Sequence, residues 1–328
     1  MAINNPCISV LTPTWNRAEY LPRVWQGLAE QSYTDFEWIV ANDGSSDHTI
    51  EMVHALAAKS NFPVTLINAS CRIGKSRMDN EAVRVARGEF IIWCDSDDVL
   101  HPSALETLLR TWESIPESDR HEYCGVTALC DTKDGVLGNK FYGSEDHIDL
   151  SWNEIFQKLN SDLVIFTRAK LLKANPFLEV DFLISESSVW NLIGTSKTRF
   201  VPIILETKEY RVANCLSLSG HMSYNRGHAY AMALSRKNGE LLLGPLSRLH
   251  RMINYLRYCI HGEIDMSKAF KLWSDKPIAI LLLVLISPVS LLLALKDRLQ
   301  GKVRMTHREF LAANAIVTMT TEYLHGRP

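Results

Sequence analysis

The chain has 328 residues, 46% of them hydrophobic and 22% charged, enough to bury one large core or two smaller ones. A net charge of -2 gives no sign of a nucleic-acid partner, and seven scattered cysteines without CxxC spacing argue against a disulfide framework or a thiolate zinc site. Acidic residues outnumber basic ones before residue 240 and the balance reverses after it, so the two parts are expected to meet different partners.

The first 130 residues alternate short apolar runs with longer amphipathic ones. Strands are expected over 7–12, 36–42, 64–68 and 89–94. Helices are expected over 18–31, with Leu21, Val24, Trp25 and Leu28 on one face, over 47–60, with Ile50, Val53, His54 and Ala57, and over 75–86. Such alternation implies βαβ units and a mostly parallel central sheet, buried on both faces. The pattern then loosens, with a helix over 150–159, a strand over 163–167, a helix over 184–194 and strand-like runs over 198–212. A helix is expected over 239–261.

Residues 277–295 carry no charge, and as a helix at ~1.5 Å per residue they would approach the hydrocarbon thickness of a bilayer. Lys276 precedes the run, Lys296, Arg298, Lys302 and Arg304 follow it, and Pro288 interrupts it. A kinked hairpin, an in-plane helix and a full span all fit. The basic flanks at both ends favour a monotopic form over a span. The amino-terminus shows no basic segment leading into a long apolar run, so the front of the chain is expected to be cytoplasmic.

Open parallel sheets bind ligands at the carboxyl ends of their strands, where four polar loops fall: "TPTWNR" (12–17), "NDGSSD" (42–47), "NASCRIGKSR" (68–77) and "DSDD" (95–98). No dinucleotide fingerprint follows the first strand, and the chain has no P-loop and no nucleophile elbow. Three carboxylates in four positions, Asp95, Asp97 and Asp98, repel one another unless solvent screens them or a cation neutralises them. They are hard oxygen donors of the kind Mg²⁺ and Mn²⁺ prefer, usually together with substrate phosphates. Asp43 is suited to accept from a base N–H or a ribose hydroxyl, and the set describes a metal-bridged nucleoside diphosphate.

The motifs "SVLTPTWNRAEYLPR", "FEWIVANDGSSDHT" and "RIGKSRMDNEAVRVARGEFIIWCDSDDVLHP" resemble, in order and spacing, the amino-terminal half of family 2 glycosyltransferases, inverting enzymes of the GT-A fold. The resemblance spans residues 8–112. It implies a GT-A domain over 1–235, with a nucleotide-binding half (1–130) and an acceptor-binding half (131–235), followed by a helical, membrane-associated region over 236–328. It also implies that Thr12, Pro13 and Asp43 line the nucleoside pocket, with Arg72, Lys75 and Arg77 near the diphosphate or ribose. Asp95 and Asp97 would form the DxD pair that holds Mn²⁺ or Mg²⁺, with Asp97 the direct ligand and Asp98 sharing the task.

The family's usual base is an Asp in an acidic pair that opens a late helix; the matching position here is Ser187, which leaves Glu186 or Asp181 for the role. By the same resemblance His221 either adds a metal ligand from a late loop that closes on the donor or is merely exposed, and Trp152 and Trp190 either stack on sugars or fill the core. The expected activity is metal-dependent transfer of a sugar, hexosyl or N-acetylhexosaminyl, from a UDP-sugar or other nucleotide diphosphate donor. The expected acceptor is a lipid-linked or polysaccharide chain at the cytoplasmic face of the inner membrane. The alternative is a non-catalytic, nucleotide-sugar-binding assembly partner at the membrane. A nucleotidyltransferase fits less well, since "TPTWNR" lacks the glycine-rich loop such enzymes carry.

Overall fold

The computed structural model describes residues 5–137, 146–159, 162–180, 182, 184, 186–190, 192–193, 196–208, 225–239, 245–300 and 317–325. The chain forms two compact units. One comprises Met1–Phe177, Ile193–Tyr210 and Asn314–Pro328, the other Leu178–Leu192 and Arg211–Ala313.

The first unit opens as β1 (Ile8–Thr14), α1 (Leu21–Ala29), β2 (Phe36–Asn42), α2 (Thr49–Ala57), β3 (Val64–Ala69), α3 (Lys75–Val85) and β4 (Phe90–Trp93). Each of β1 and β2 is buried along its whole length, as an apolar strand covered on both faces must be. These four strands pair in parallel in the order β3-β2-β1-β4. Thr14 lies opposite Asn42 and Asn42 opposite Asn68, so this register brings the loops after β1, β2 and β3 to one level of the sheet edge.

The expected helical faces hold with one rotation. In α2 the buried residues are Thr49, Val53, Leu56 and Ala57, whereas His54 points outward and pairs with Glu322 at 3.5 Å. Leucine takes the inward position because burial favours it over an ionisable ring.

Beyond β4 the chain continues through β5 (Val99–Leu100), α4 (Ala104–Glu113), β6 (Tyr123–Thr132), β7 (Gly135–Val136), β8 (Ile148–Ser151), α5 (Trp152–Leu159), β9 (Leu163–Arg168) and α6 (Ala169–Ala174). A short helix α7 (Ser187–Trp190) belongs to the second unit, and β10 (Lys197–Thr207) returns to the sheet. Pairing here is mixed: β9 runs antiparallel to both β4 and β6, while β10 runs parallel to β6. The final strand, β11 (Met319–His325), adds antiparallel to β3 and covers that edge. The core beneath includes Trp38, Phe90 and Phe166, the last two stacked at 4.5 Å, with Trp112 edge-on to Phe90 at 5.2 Å. Trp152 and Trp190 are both core residues, each in its own unit.

The second unit contains α8 (Asn225–Gly239), α9 (Pro245–His261), α10 (Met266–Trp273) and α11 (Pro277–Leu299). The helix expected from Gly239 begins at Pro245, where proline suits the first helical position, and Gly239 instead closes α8. Tyr255, Leu256, Cys259, Ala269 and Trp273 form its core, and the Tyr255 hydroxyl donates to the Ala269 carbonyl at 2.6 Å.

Helix α11 runs unbroken through Pro288, so no hairpin forms there. Proline at 288 leaves the Val284 carbonyl without its usual donor, and the Ser287 hydroxyl donates to it at 2.8 Å. Leu283, Ser290, Ala294 and Asp297 form the one buried stripe of α11, while leucines such as Leu285 and Leu292, 65% and 68% exposed, face outward. Arg257 of α9 binds Asp297 through both carboxylate oxygens, and His261 Nε2 lies 3.0 Å from Asp297.

Candidate active site

Four loops meet at the carboxyl edge of β1–β4, and their backbones are tied together before any ligand is considered. Asn16 follows β1 in the left-handed region (φ 52°), which asparagine tolerates better than most residues. Its amide N–H donates to Ser45 Oγ at 2.8 Å and its side-chain oxygen accepts from the Ser46 N–H at 2.8 Å. The next two N–H groups donate to the loop after β2 as well, Arg17 to Thr49 Oγ1 and Ala18 to Asp47 Oδ2, both at 3.2 Å.

The second and third loops are joined by Asp43. Its carboxylate accepts from the Ile73 N–H at 2.6 Å and from the Gly74 N–H at 3.0 and 3.1 Å, with Arg72 Nε 3.9 Å away. Burial pushes its carboxyl above the ordinary value, against the pull of those N–H groups and of Arg72. Gly44 allows this approach: it sits at φ 65°, and a Cβ there would lie 2.3 Å from the Cys71 carbonyl carbon. The Arg72 guanidinium stacks over Trp15 at 3.7 Å.

The acidic turn follows β4, and its geometry answers the repulsion problem differently from the sequence reading. Each carboxylate meets a cation of the chain itself. Asp97 accepts from Arg17 Nη1 at 2.9 Å, Asp98 from Lys208 Nζ at 2.7 Å, and Lys75 Nζ stands 3.7 Å from Asp95. Lys208 also lies 3.1 Å from the buried Glu206, and Lys75 bonds Asp79 at 3.2 Å, which in turn accepts from Trp93 Nε1 at 3.0 Å.

Burial pushes the Asp95 carboxyl upward, but Lys75, Lys208 and Arg17 together hold it below the usual range. For Asp97 burial wins over Arg17 and the carboxyl is raised. Burial works against the charged Lys208 amine, yet Glu206 and Asp98 outweigh it and keep it protonated.

Several polar atoms at this edge are buried without a hydrogen-bond partner: Thr14 Oγ1, Arg77 Nε and Asp95 Oδ1. Buried polar atoms are normally satisfied, so these three leave open hydrogen-bonding capacity at the edge. Thr12 and Pro13 lie inside β1, and the Thr12 hydroxyl accepts from Trp38 Nε1 at 2.9 Å.

The structure thus brings Asp43, Arg72, Lys75, Arg77, Asp95, Asp97 and Asp98 to one unit and one edge. Glu186 belongs to the second unit, half-buried, its carbonyl accepting from the Val189 N–H at 2.9 Å as α7 begins. Asp181 and His221 lie outside the described residues. The sequence reading did not single out Arg17, Thr14, Asp79, Glu206 or Lys208. Arg17 was visible inside the first motif, but nothing in the chain announces that Lys208 reaches back to Asp98.

Residues 9–122 match the family described as glycosyl transferase family 2. The glycosyltransferase GlyG of Streptococcus pneumoniae is 31% identical over 53% of this chain and 59% of its own length. The GalNAc(5)-diNAcBac-PP-undecaprenol beta-1,3-glucosyltransferase of Campylobacter jejuni is 27% identical over 60% of this chain and 62% of its own. The chain therefore spans about three fifths of the length of these curated relatives. Among solved structures, Staphylococcus aureus TarS 1-349 covers 97% of this chain and 99% of its own at TM-score 0.59 and 15% identity. Its complex with UDP-GlcNAc aligns at TM-score 0.54 and 16% identity, covering 98% of both chains. The fold is of the GT-A type.

Proposed function

With residues 9–122 matching the family described as glycosyl transferase family 2, we propose that the chain is a metal-dependent inverting transferase. It moves a sugar from a UDP-sugar to a lipid-linked or polysaccharide acceptor at the cytoplasmic face of the membrane. The observation that carries this reading is the joined loop edge, where Thr14, Arg77 and Asp95 keep buried polar atoms without a hydrogen bond beside Asp43 and the acidic turn. The UDP-GlcNAc complex of TarS and the undecaprenol-linked acceptor in the name of the Campylobacter relative support the choice of donor and acceptor class.

A hard divalent cation, Mn²⁺ or Mg²⁺, fits the acidic turn. Asp95 Oδ1 is buried without a hydrogen bond, Lys75 Nζ standing 3.7 Å from it, and an all-oxygen set of one or two carboxylates leaves room for phosphate oxygens. Asp95 and Asp97 would hold the ion, which when bound supplies charge stabilisation to the leaving diphosphate. Asp98 stays on Lys208 and fixes the turn. Asp43 and Arg72 orient the nucleoside, and Lys75 and Arg77 offer positive charge to the diphosphate. Glu186, with Asp181 as the second candidate, accepts the acceptor hydroxyl's proton. The new oxygen–carbon bond forms as the anomeric carbon–phosphate oxygen bond breaks, and the diphosphate leaves with the electron pair.

The apolar outer faces of α11 favour lipid contact. Its buried stripe lies against α9, a helix that carries Arg248, Arg251 and Arg257, and this supports a helix lying in the interface rather than crossing alone.

The test is transfer from UDP-glucose, UDP-GlcNAc or UDP-GalNAc to undecaprenyl-diphosphate-linked glycans, read as UDP release and as product mass. One donor should be consumed only when acceptor is present. Glu186→Gln should lose at least ~100-fold in rate while still binding UDP. Tight UDP binding with no transfer to any acceptor would instead favour the assembly-partner reading.

A further inference from the structure

Arg17 is more tightly built than a surface arginine needs to be. Its backbone is fixed between the left-handed Asn16 and the N–H bonds to Thr49 and Asp47, so the loop after β1 cannot drift from the loop after β2. Its guanidinium lies 5.1 Å from the Tyr20 ring and bonds Asp97 at 2.9 Å, with the two side chains only 13% and 24% exposed. A charge-assisted bond in so sheltered a place is a strong one, and it occupies an oxygen of Asp97.

Among the described residues no three Asp, Glu, His or Cys side chains converge to hold a metal ion. Of the turn's three carboxylates, Asp98 is held by Lys208 and Asp97 by Arg17, so an ion arriving alone meets a turn already paired within the chain.

We propose that Arg17 is a positioning residue that guards Asp97, making divalent-metal binding depend on the nucleoside diphosphate. The inference rests on the reading that Asp95 and Asp97 take the metal. The diphosphate brings oxygen ligands that complete the ion's shell and an anionic partner to which the guanidinium can turn. Metal and nucleotide then bind as a pair, each tightening the other by the same factor, as linkage requires.

The experiment titrates Mn²⁺ into the full chain with and without UDP, following free Mn²⁺ by its electron paramagnetic resonance signal. Wild type should bind Mn²⁺ weakly alone and at least tenfold more tightly with saturating UDP. Arg17→Gln should bind Mn²⁺ alone about tenfold more tightly than wild type, with the UDP enhancement reduced in proportion, a change of the size expected for releasing one charge-assisted bond. Arg17→Lys, which keeps the cation, should stay close to wild type.

An Arg17→Gln protein with wild-type Mn²⁺ affinity and wild-type UDP enhancement would overturn the proposal. So would a wild type whose Mn²⁺ affinity is unmoved by UDP, a result that needs no variant to fold. Asp97→Ala separates the two claims. If it leaves Mn²⁺ binding in the presence of UDP intact, the metal reading itself fails. If it removes that binding while Arg17→Gln behaves as wild type, only the role of Arg17 fails.

Discussion

Gly44 is where the site depends most on a single atom that is not there. A methyl group would lie 2.3 Å from the Cys71 carbonyl carbon and 2.6 Å from the Arg72 nitrogen, both backbone atoms that cannot step aside. Gly44→Ala should push the third loop from the second, break the Asp43 bonds to Ile73 and Gly74, and weaken UDP binding by at least ~10-fold. With φ at 65°, the strain adds about 1 kcal/mol to the loss. Calorimetry with UDP checks the first effect and thermal unfolding the second. Unchanged UDP affinity would show that the loops do not act as one.

At this scale the sequence reading was strongest for residues that sit at strand ends by necessity. Asp43 and the acidic turn were legible because an acid directly after an apolar strand has few structural uses. The cations that hold them were not. Lys208 and Asp98 meet across 110 positions, and Arg17 and Asp97 across 80, and no local pattern encodes such a meeting. The sequence reading weighed solvent and a bound cation as relief for the acidic turn, and the chain's own cations are a third.

Between elements, the antiparallel pairing of β8 with β10 is reinforced by an ion pair. Asp149 on β8 accepts from Arg199 of β10 through both oxygens, at 2.8 Å each, and from the Tyr123 hydroxyl at 2.9 Å. Burial alone would push its carboxyl up, but the bonds from Arg199 and Tyr123 hold it below the ordinary value. A depressed folded value means that the pair stabilises the fold above the unfolded carboxylate value. That contribution is lost as pH falls through the lower folded one.

Asp149→Asn should therefore cost about 1–2 kcal/mol at pH 7, allowing for the partly exposed end. The gap between wild type and variant should close on acidification through the carboxylate range. Denaturant melts at several pH values measure it, and a gap independent of pH would contradict the assignment.

The first four strands and three helices were legible because each βαβ unit carries its own hydrophobic period. β8 and β11 were not. β8 has four residues, too few for a period, and β11 pairs with a strand about 250 positions earlier, so its existence depends on the sheet edge it covers.

For the whole molecule, the apolar face of α11 is the feature on which the proposed membrane contact rests. Ten residues on or after Ile278 in the α11 segment, from Ile278 to Leu299, are large, apolar and exposed, and basic residues stand at both ends. The full chain should float with vesicles containing anionic lipid. Binding should weaken as salt rises, because each Lys or Arg near the surface contributes ~1 kcal/mol that ions screen. The double change Leu285→Asp and Leu292→Asp should release it into the soluble fraction without changing UDP affinity. Vesicle binding that survives both substitutions would place the membrane contact elsewhere. Here the sequence announced the segment but not its form. At Pro288 the carbonyl left open is satisfied by one serine hydroxyl, Ser287, that no hydropathy pattern reveals.

Calorimetric titration of UDP into wild type and Asp97→Ala, with and without Mn²⁺, tests most directly whether metal and nucleotide meet at the acidic turn. The expected result is UDP binding to wild type that tightens at least ~10-fold with Mn²⁺ and an enhancement that disappears in Asp97→Ala. UDP binding that ignores Mn²⁺, or an enhancement that survives Asp97→Ala, would contradict it.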